Sequence, residues 1–388
     1  MSVPLAFPAP RVLLELMPTT VARNGLTITP QTIAFMYSPV VSSLLAIFRT
    51  AGISPTVQFG DPTMHATAAR ASLGYGDLYI FIGEHGLARM LRYFIFQSLR
   101  KRGIYTIYYQ SEPRKRCIFD RKIVDEIWDF SWYNIDACAN GTSLYTQNHM
   151  RMDDWFSSHS LHPINQSMGA TTVIRYVPLV ALHASPTVKK QPTSQKANLV
   201  FFGGNWSRGE CLTFLDDLFK FNASGRLRLV YNVWSEDQLR RFLGQPDVGI
   251  FLNIHQGCRV GSAPNSTSIA MPVTWRNPLL LNARALIVSE RCYWRDEAEF
   301  EGLVDFTSVS GIPSTFEGLR VMRVEERTAL AERRHAAFSS RFDASKIGTR
   351  AQLPLLMQQL ARMKAEHTGL QVHGRTASAS RTGLFMSQ

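Results

Sequence analysis

Residues Asp247 to Glu290 read DVGIFLNIHQGCRVGSAPNSTSIAMPVTWRNPLLLNARALIVSE. Two apolar, β-rich runs, Val248 to Ile254 and Ala285 to Val288, stop abruptly at polar residues, and Thr274 to Ala283 between them suits a helix. This is the pattern of a strand, helix, strand unit with polar strand exits. In an open parallel sheet the carboxyl ends of the strands face the ligand crevice. Asn253, His255, Ser289 and Glu290 are therefore expected to line one mouth, taken as the working site.

The same rhythm continues on both sides. NLVFFGGNWSRGECLTFLDDLFKF, beginning at Asn198, reads as strand, Gly-rich turn and helix; RLRLVYNV follows as a strand and SEDQLRRFLG as a helix with Ser235 as its N-cap. Downstream, a helix from about Trp294 to Phe300 leads to a short strand in LVDF, then VEERTALAERRHAAFSSRF and LPLLMQQLARMKAEH as amphipathic helices. Upstream, the α/β texture starts at Gln31: Thr32 to Ser38 as strand, PVVSSLLAIFRTAG as a helix ending at Gly52, and PTVQFG as strand. DLYIFI, Asp77 to Ile82, is a buried strand exiting into GEHG. The helix Leu87 to Arg102 follows, capped by Gly103, and GIYTIYYQ returns as strand. EIWDFS is a short strand, a helix starts near Ser131, and RYVPLV, Arg175 to Val180, closes the first unit. Before Pro30 only Arg11 to Leu16 suggests a strand. The fold class expected is α/β, with two Rossmann-like domains.

The chain has 388 residues, beyond the size at which one core keeps growing. Hydrophobic residues at 45% and aromatic residues at 11% are ample for packed cores and exclude a disordered chain. The net charge of +12 favours anionic partners, among them phosphorylated small molecules. The basic residues are spread out, with knots only at Arg100-Lys101-Arg102 and Arg114-Lys115-Arg116, so a dedicated nucleic-acid surface is not expected. Five cysteines without a C-x-x-C pair suggest neither a disulfide framework nor a zinc site, and a reducing, cytoplasmic setting fits them. The N-terminus lacks a signal-peptide pattern, and the apolar stretch Ile33 to Phe48 is too short and interrupted to span a membrane. Residues 181–197, rich in Ser, Pro, Thr, Lys and Gln, read as a linker.

Gly203-Gly204-Asn205-Trp206-Ser207-Arg208 follows an apolar strand and opens a helix. Glycines there let backbone N–H groups approach a phosphate, and Arg208 can add a charged fork; an ordinary βα turn has the same composition. His255 is either a strand-exit hydrogen-bonder or a catalyst. In the first domain the candidates are Glu84 and His85 after DLYIFI, and Gln110 and Glu112 after GIYTIYY. An ionisable one could orient or deprotonate a substrate hydroxyl.

FFGGNWSR, VYNVWSEDQLRRFLGQPDVGIFLNIH, WRNPLLLNARALIVSE and EFEGLVDF, in that order between Phe201 and Phe306, resemble the nucleotide-sugar-binding half of GT-B glycosyltransferases. Within them the run is similar to the CgeB-like group and to the family 1 and 4 transferases; RYVPLV resembles the strand before the domain crossing. The resemblance implies a GT-B fold whose two domains face each other across a cleft. The first, acceptor-side domain is expected at 1–180, the linker at 181–197 and the nucleotide-sugar domain at 198–345. A helix at 346–367 would return to the first domain, and 368–388 would be a disordered tail. It implies a nucleoside diphosphate sugar as donor, a glycan, protein or small-molecule acceptor, and no metal or other cofactor. Val233 and Trp234 fall where such proteins read the base, although the indole could equally plug the core. Arg276 and Asn277 lie in the turn expected at the diphosphate, with Arg276 neutralising the leaving group and Glu290 accepting sugar or ribose hydroxyls. Many retaining members carry two glutamates seven residues apart across this helix; TWRNPLLLNAR has neither. A non-catalytic sugar-binding relative is therefore the second expectation, and a basic nucleic-acid-associated protein the third.

Overall fold

A computed structural model describes residues 9–16, 21–23, 26–28, 30–59, 67–82, 88–110, 124–139, 172–182, 198–203, 209–221, 227–230, 236–243, 248–254 and 274–382. The chain opens with β1 (Val12–Leu16), a small hairpin of β2 (Val21–Arg23) and β3 (Leu26–Ile28), and helix α1 (Pro30–Thr50). Then come β4 (Thr56–Phe59), α2 (Ala68–Ser72), β5 (Leu78–Ile82), α3 (Ala88–Lys101), β6 (Tyr105–Gln110), β7 (Glu126–Asp129), α4 (Trp132–Ala139) and β8 (Val173–Tyr176). Six of these strands form one sheet in the order β4-β1-β5-β6-β7-β8, every pairing parallel. Both β1 and β5 are buried along their whole length, as strands covered by helices on both faces must be.

The expected strand Thr32 to Ser38 is instead the beginning of α1, and its central place in the sheet belongs to β1. A short apolar run fits either element until its neighbours decide. Here Tyr37, Val40, Leu44, Ile47 and Phe48 are buried together, at intervals of three and four residues that put them on one helical stripe. The closing strand also ends sooner than RYVPLV suggests. β8 stops at Tyr176 and the chain runs on as irregular buried backbone, because Pro178 has no N–H for a ladder.

The second domain contains β9 (Asn198–Phe202), α5 (Gly209–Phe221), β10 (Leu227–Val230), α6 (Glu236–Leu243), β11 (Val248–Asn253), α7 (Arg276–Asn282), β12 (Leu286–Glu290), α8 (Trp294–Glu299) and β13 (Asp305–Thr307). Helices α9 (Ile312–Val321), α10 (Val324–Arg341), α11 (Ala344–Arg350) and α12 (Leu353–Thr382) follow. Its sheet, ordered β10-β9-β11-β12-β13, is also parallel throughout. The strand order reverses between β1 and β5 in the first sheet and between β9 and β11 in the second, the topological switch points of doubly wound folds.

The crossing backbone is pinned from both sides: Val180 N–H donates to Ser43 Oγ at 3.2 Å, Ala181 N–H to the Phe342 carbonyl at 2.9 Å, and Leu182 N–H to Asn282 Oδ1 at 2.9 Å. After α10 the chain goes back to the first domain. Gly348 of α11 lies against Ile47, where an added Cβ would meet the isoleucine at 3.4 Å. Lys364 of α12 reaches Asp77, just before β5, at 2.7 Å, and His367 stacks on Tyr75 at 4.3 Å. Asp77 also accepts from the N–H of Gly74 at 2.8 Å and from the amide and guanidinium of Arg11 at 2.9 Å each. Burial pushes its carboxyl up, but the Lys364, Gly74 and Arg11 donors outweigh that and hold it below the ordinary value. Helix α12 continues to Thr382, through residues that composition assigns to a tail; extending an existing helix needs no new nucleus.

The two domains also meet at α4 and α8. Ser131 Oγ donates to Asp296 Oδ2 at 2.5 Å and the Trp132 amide to Asp296 Oδ1 at 2.7 Å, so a buried carboxylate of the second domain caps a helix of the first. Trp132 Nε1 donates to Glu299 at 3.0 Å, and Arg295 pairs with Asp136 at 2.6 Å while lying 3.8 Å over the Trp132 ring. Among the described residues no helix is long and apolar enough to cross a membrane.

Candidate functional site

The switch point of the second sheet lies between the exits of β9 and β11. β9 ends in Phe202, and Gly203 follows with φ +138°, a conformation that strains any residue with a Cβ. Its N–H donates to the Val230 carbonyl at 3.1 Å, tying the turn to β10. A Cβ here would also stand 2.9 Å from Nη2 of Arg276, so the lack of a side chain lets the guanidinium lie against the turn. Arg276 opens α7, spreads over the Phe201 ring at 5.4 Å and donates from Nη1 to Asn253 Oδ1 at 3.0 Å.

Asn253 ends β11 and is buried at 3% exposure, where an amide needs all its partners. It has them. Oδ1 accepts from Thr274 Oγ1 and Arg276 Nη1, both at 3.0 Å, and Nδ2 donates to Asn277 Oδ1 at 2.9 Å and Ser289 Oγ at 3.2 Å. The side chain thus ties the β11 exit, the start of α7 and the β12 exit into one rigid piece, and it aims Arg276. Asn253 and Ser289 are registered neighbours across β11 and β12, which is why their side chains meet. Asn277 is fully buried and its Nδ2 has no hydrogen-bond partner among the described residues. Glu290 is buried at 5% exposure, and its carbonyl accepts from Ser289 Oγ at 3.0 Å.

Five residues singled out by sequence, Gly203, Asn253, Arg276, Asn277 and Ser289, therefore stand together, with Glu290 next along the chain. His85, Glu112, Gly204, Asn205, Arg208, Val233, Trp234 and His255 lie outside the described residues, as does Glu84. Sequence reasoning missed Thr274, whose only signal is a hydroxyl just ahead of WRNP, and the Asp296 cap. Chemically, the switch point offers an oriented guanidinium lying against Gly203, an arrangement suited to a phosphate oxygen. Among the described residues no cluster of His, Cys, Asp and Glu could hold a metal ion.

No protein-family model matches the chain, and no curated protein does. Solved structures do. An Escherichia coli structure described as trehalose-6-phosphate bound with UDP-2-fluoro glucose aligns with a TM-score of 0.50 at 10% identity, over 90% of this chain and 99% of that one. The trehalose-6-phosphate synthase OtsA aligns at 0.47 and 11% identity over 90% of this chain and 91% of its own, and T4 phage β-glucosyltransferase at 0.43 and 10% over 86% and 99%. With two parallel doubly wound domains and the first of these likenesses spanning nearly the whole length, the chain has an α/β fold of the GT-B type.

Proposed function

We infer that the protein is a glycosyltransferase that moves a sugar from a nucleoside diphosphate donor to an acceptor held by the first domain. The observation that carries this reading is the Arg276 guanidinium, fixed by Asn253 over the Gly203 turn at a topological switch point. In the reaction the bond from the anomeric carbon to the diphosphate oxygen breaks and its electron pair leaves with the phosphate. The acceptor oxygen forms the new bond and loses its proton to a base. Arg276 and the amides of the turn from Gly204 to Arg208 hold the diphosphate and take up the charge that develops on it. The reading needs no metal, since Arg276 supplies the positive charge. Asn277, Ser289 and Glu290 line the sugar or ribose, Val233 and Trp234 the base, and His255, His85 and Glu112 are the candidates for orienting or deprotonating the acceptor.

That the donor is a nucleotide sugar is supported by the UDP-2-fluoro glucose bound in the E. coli structure of similar fold. The test is slow hydrolysis of a panel of nucleoside diphosphate sugars, expected for one of them and abolished by Arg276→Ala. A non-catalytic nucleotide-sugar-binding protein is the second reading, favoured by the absence of glutamates from α7. Under it, UDP or GDP stabilises the protein while no donor is turned over.

A further inference from the structure

Helix α7, which carries Arg276 at its start, is tied at its far end as well. Its last residue, Asn282, is half-buried and meets the backbone that crosses between the domains. Oδ1 accepts from the Leu182 N–H at 2.9 Å and Nδ2 donates to the Val180 carbonyl at 3.4 Å, so one side-chain amide brackets Ala181. Up to that point the crossing belongs to the first domain. Val177, Leu179, Val180 and Ala181 are buried in the core that contains Val40, Leu44 and Ile47 of α1, and the Val180 N–H donates to Ser43 Oγ of the same helix at 3.2 Å. Asn282 therefore joins the helix that aims Arg276 to the chain leaving the first domain.

The helix between these ties moves as one piece. At about 1.5 Å per residue, Asn282 stands roughly 9 Å along the axis from Arg276. Leu280 and Leu281 are packed in the core at 0% and 1% exposure. The Leu281 carbonyl accepts from the Arg284 N–H at 3.0 Å and from His335 Nδ1 of α10 at 2.9 Å; a carbonyl only accepts, so the imidazole carries a proton on that nitrogen. At the other end the Asn253 amide holds both Arg276 and Asn277. Close-packed interiors are stiff and pass a displacement on, so a shift at one end of α7 reaches the other.

We propose that Asn282 is a positioning residue that couples the phosphate site at the start of α7 to the crossing between the domains, with the helix as the strut. The use of this coupling rests on the nucleotide reading above; the strut rests on the bonds at its two ends. Coupling of two sites is reciprocal: a change at the crossing alters affinity at Arg276, and a ligand at Arg276 alters the crossing.

The test compares Asn282→Leu with Ser43→Ala in the full chain. Each removes the partner of one crossing amide, Leu182 from the α7 side and Val180 from the α1 side. Affinity for UDP and GDP is measured by calorimetry where all the proteins are folded, and hydrogen exchange is resolved to the amides of Val180 to Leu182 with and without saturating nucleotide. Asn282→Leu should weaken the nucleotide that the parent binds by about fivefold or more, while Ser43→Ala leaves it within about twofold. Bound nucleotide should slow exchange at Leu182 in the parent and not in Asn282→Leu. An asparagine with a merely structural role would change exchange at Leu182 when replaced but not the nucleotide affinity. The proposal is overturned if Asn282→Leu keeps the parent's affinity, if Ser43→Ala weakens it as much, or if bound nucleotide leaves exchange at Leu182 unchanged. Should neither nucleotide bind the parent, the nucleotide reading falls and exchange alone decides on the strut. Asn253→Asp, which disturbs the start of α7, should then speed exchange at Leu182 in the parent and not in Asn282→Leu; an unchanged rate in the parent, or an equal gain in both, overturns it.

Discussion

Replacing Asn253 by leucine should damage both stability and the crevice. The side chain makes four hydrogen bonds at 2.9 to 3.2 Å, and leucine of similar volume makes none. Asn277 suffers most: it is fully buried, its Nδ2 already lacks a partner, and its Oδ1 would lose the one it has. A buried polar group left unpaired costs about 1–3 kcal/mol. Thr274, at 8% exposure, loses its bond to Asn253, while Ser289 keeps the Glu290 carbonyl. Together these losses amount to about 3–5 kcal/mol, at the upper end for one substitution. With a urea slope of about 3 kcal/mol/M, the midpoint falls by roughly 1 to 1.7 M. Asn253→Asp keeps an acceptor for Thr274 and Arg276, and the Asn277 amide can turn to offer its Nδ2, so that variant should lose only about 1–2 kcal/mol. Urea unfolding of the three proteins, followed by tryptophan fluorescence, checks the ranking. A leucine variant within 0.5 kcal/mol of the parent, or an aspartate variant as weak as leucine, would refute the account of Asn253 as the tie between β11, α7 and β12.

Gly203→Ala puts a Cβ at 2.9 Å from the Arg276 guanidinium on a backbone with φ +138°; a stability loss of about 1–3 kcal/mol with weakened nucleotide binding is expected by calorimetry. Asp296→Ala removes the acceptor of the Ser131 hydroxyl and leaves the Trp132 amide at the start of α4 without its partner, costing about 1–3 kcal/mol in urea unfolding. Asp77→Asn tests the tie to α12 through pH. The folded carboxyl titrates below its ordinary value of 3.8, so its stabilisation is complete above the unfolded value and is lost as pH falls through the lower folded one. The difference in urea midpoint between Asp77→Asn and the parent should be constant above about pH 5 and shrink below about pH 4; a gap that widens on acidification contradicts the assignment.

The strand ends that carry Asn253, Ser289 and Glu290 were legible because the strands are. Val248 to Asn253 and Leu286 to Glu290 are apolar runs with sharp polar ends, and such ends fall at the carboxyl edge by construction of a parallel sheet. What Asn253 does was not legible, since its partners Thr274, Asn277 and Ser289 come 21, 24 and 36 residues later and meet it only through the packing of α7. The same holds for Asp296, whose bond to Ser131 spans 165 residues and two domains. The misread strand at Thr32 to Ser38 has a local cause: β-branched and aromatic residues satisfy both periods over so short a run, and the longer stripe through Phe48 carries the helix.

The central claim is that the Arg276 guanidinium over the Gly203 turn holds a nucleoside diphosphate. Titration calorimetry of UDP and GDP into the full chain and into Arg276→Ala tests it most directly. One nucleotide should bind the parent, and the loss of a charge-assisted bond worth about 1.5–3 kcal/mol should weaken binding by roughly 10- to 150-fold, measured at a temperature where both proteins are folded. Equal affinity in the two proteins, or none for either nucleotide in the parent, would contradict it.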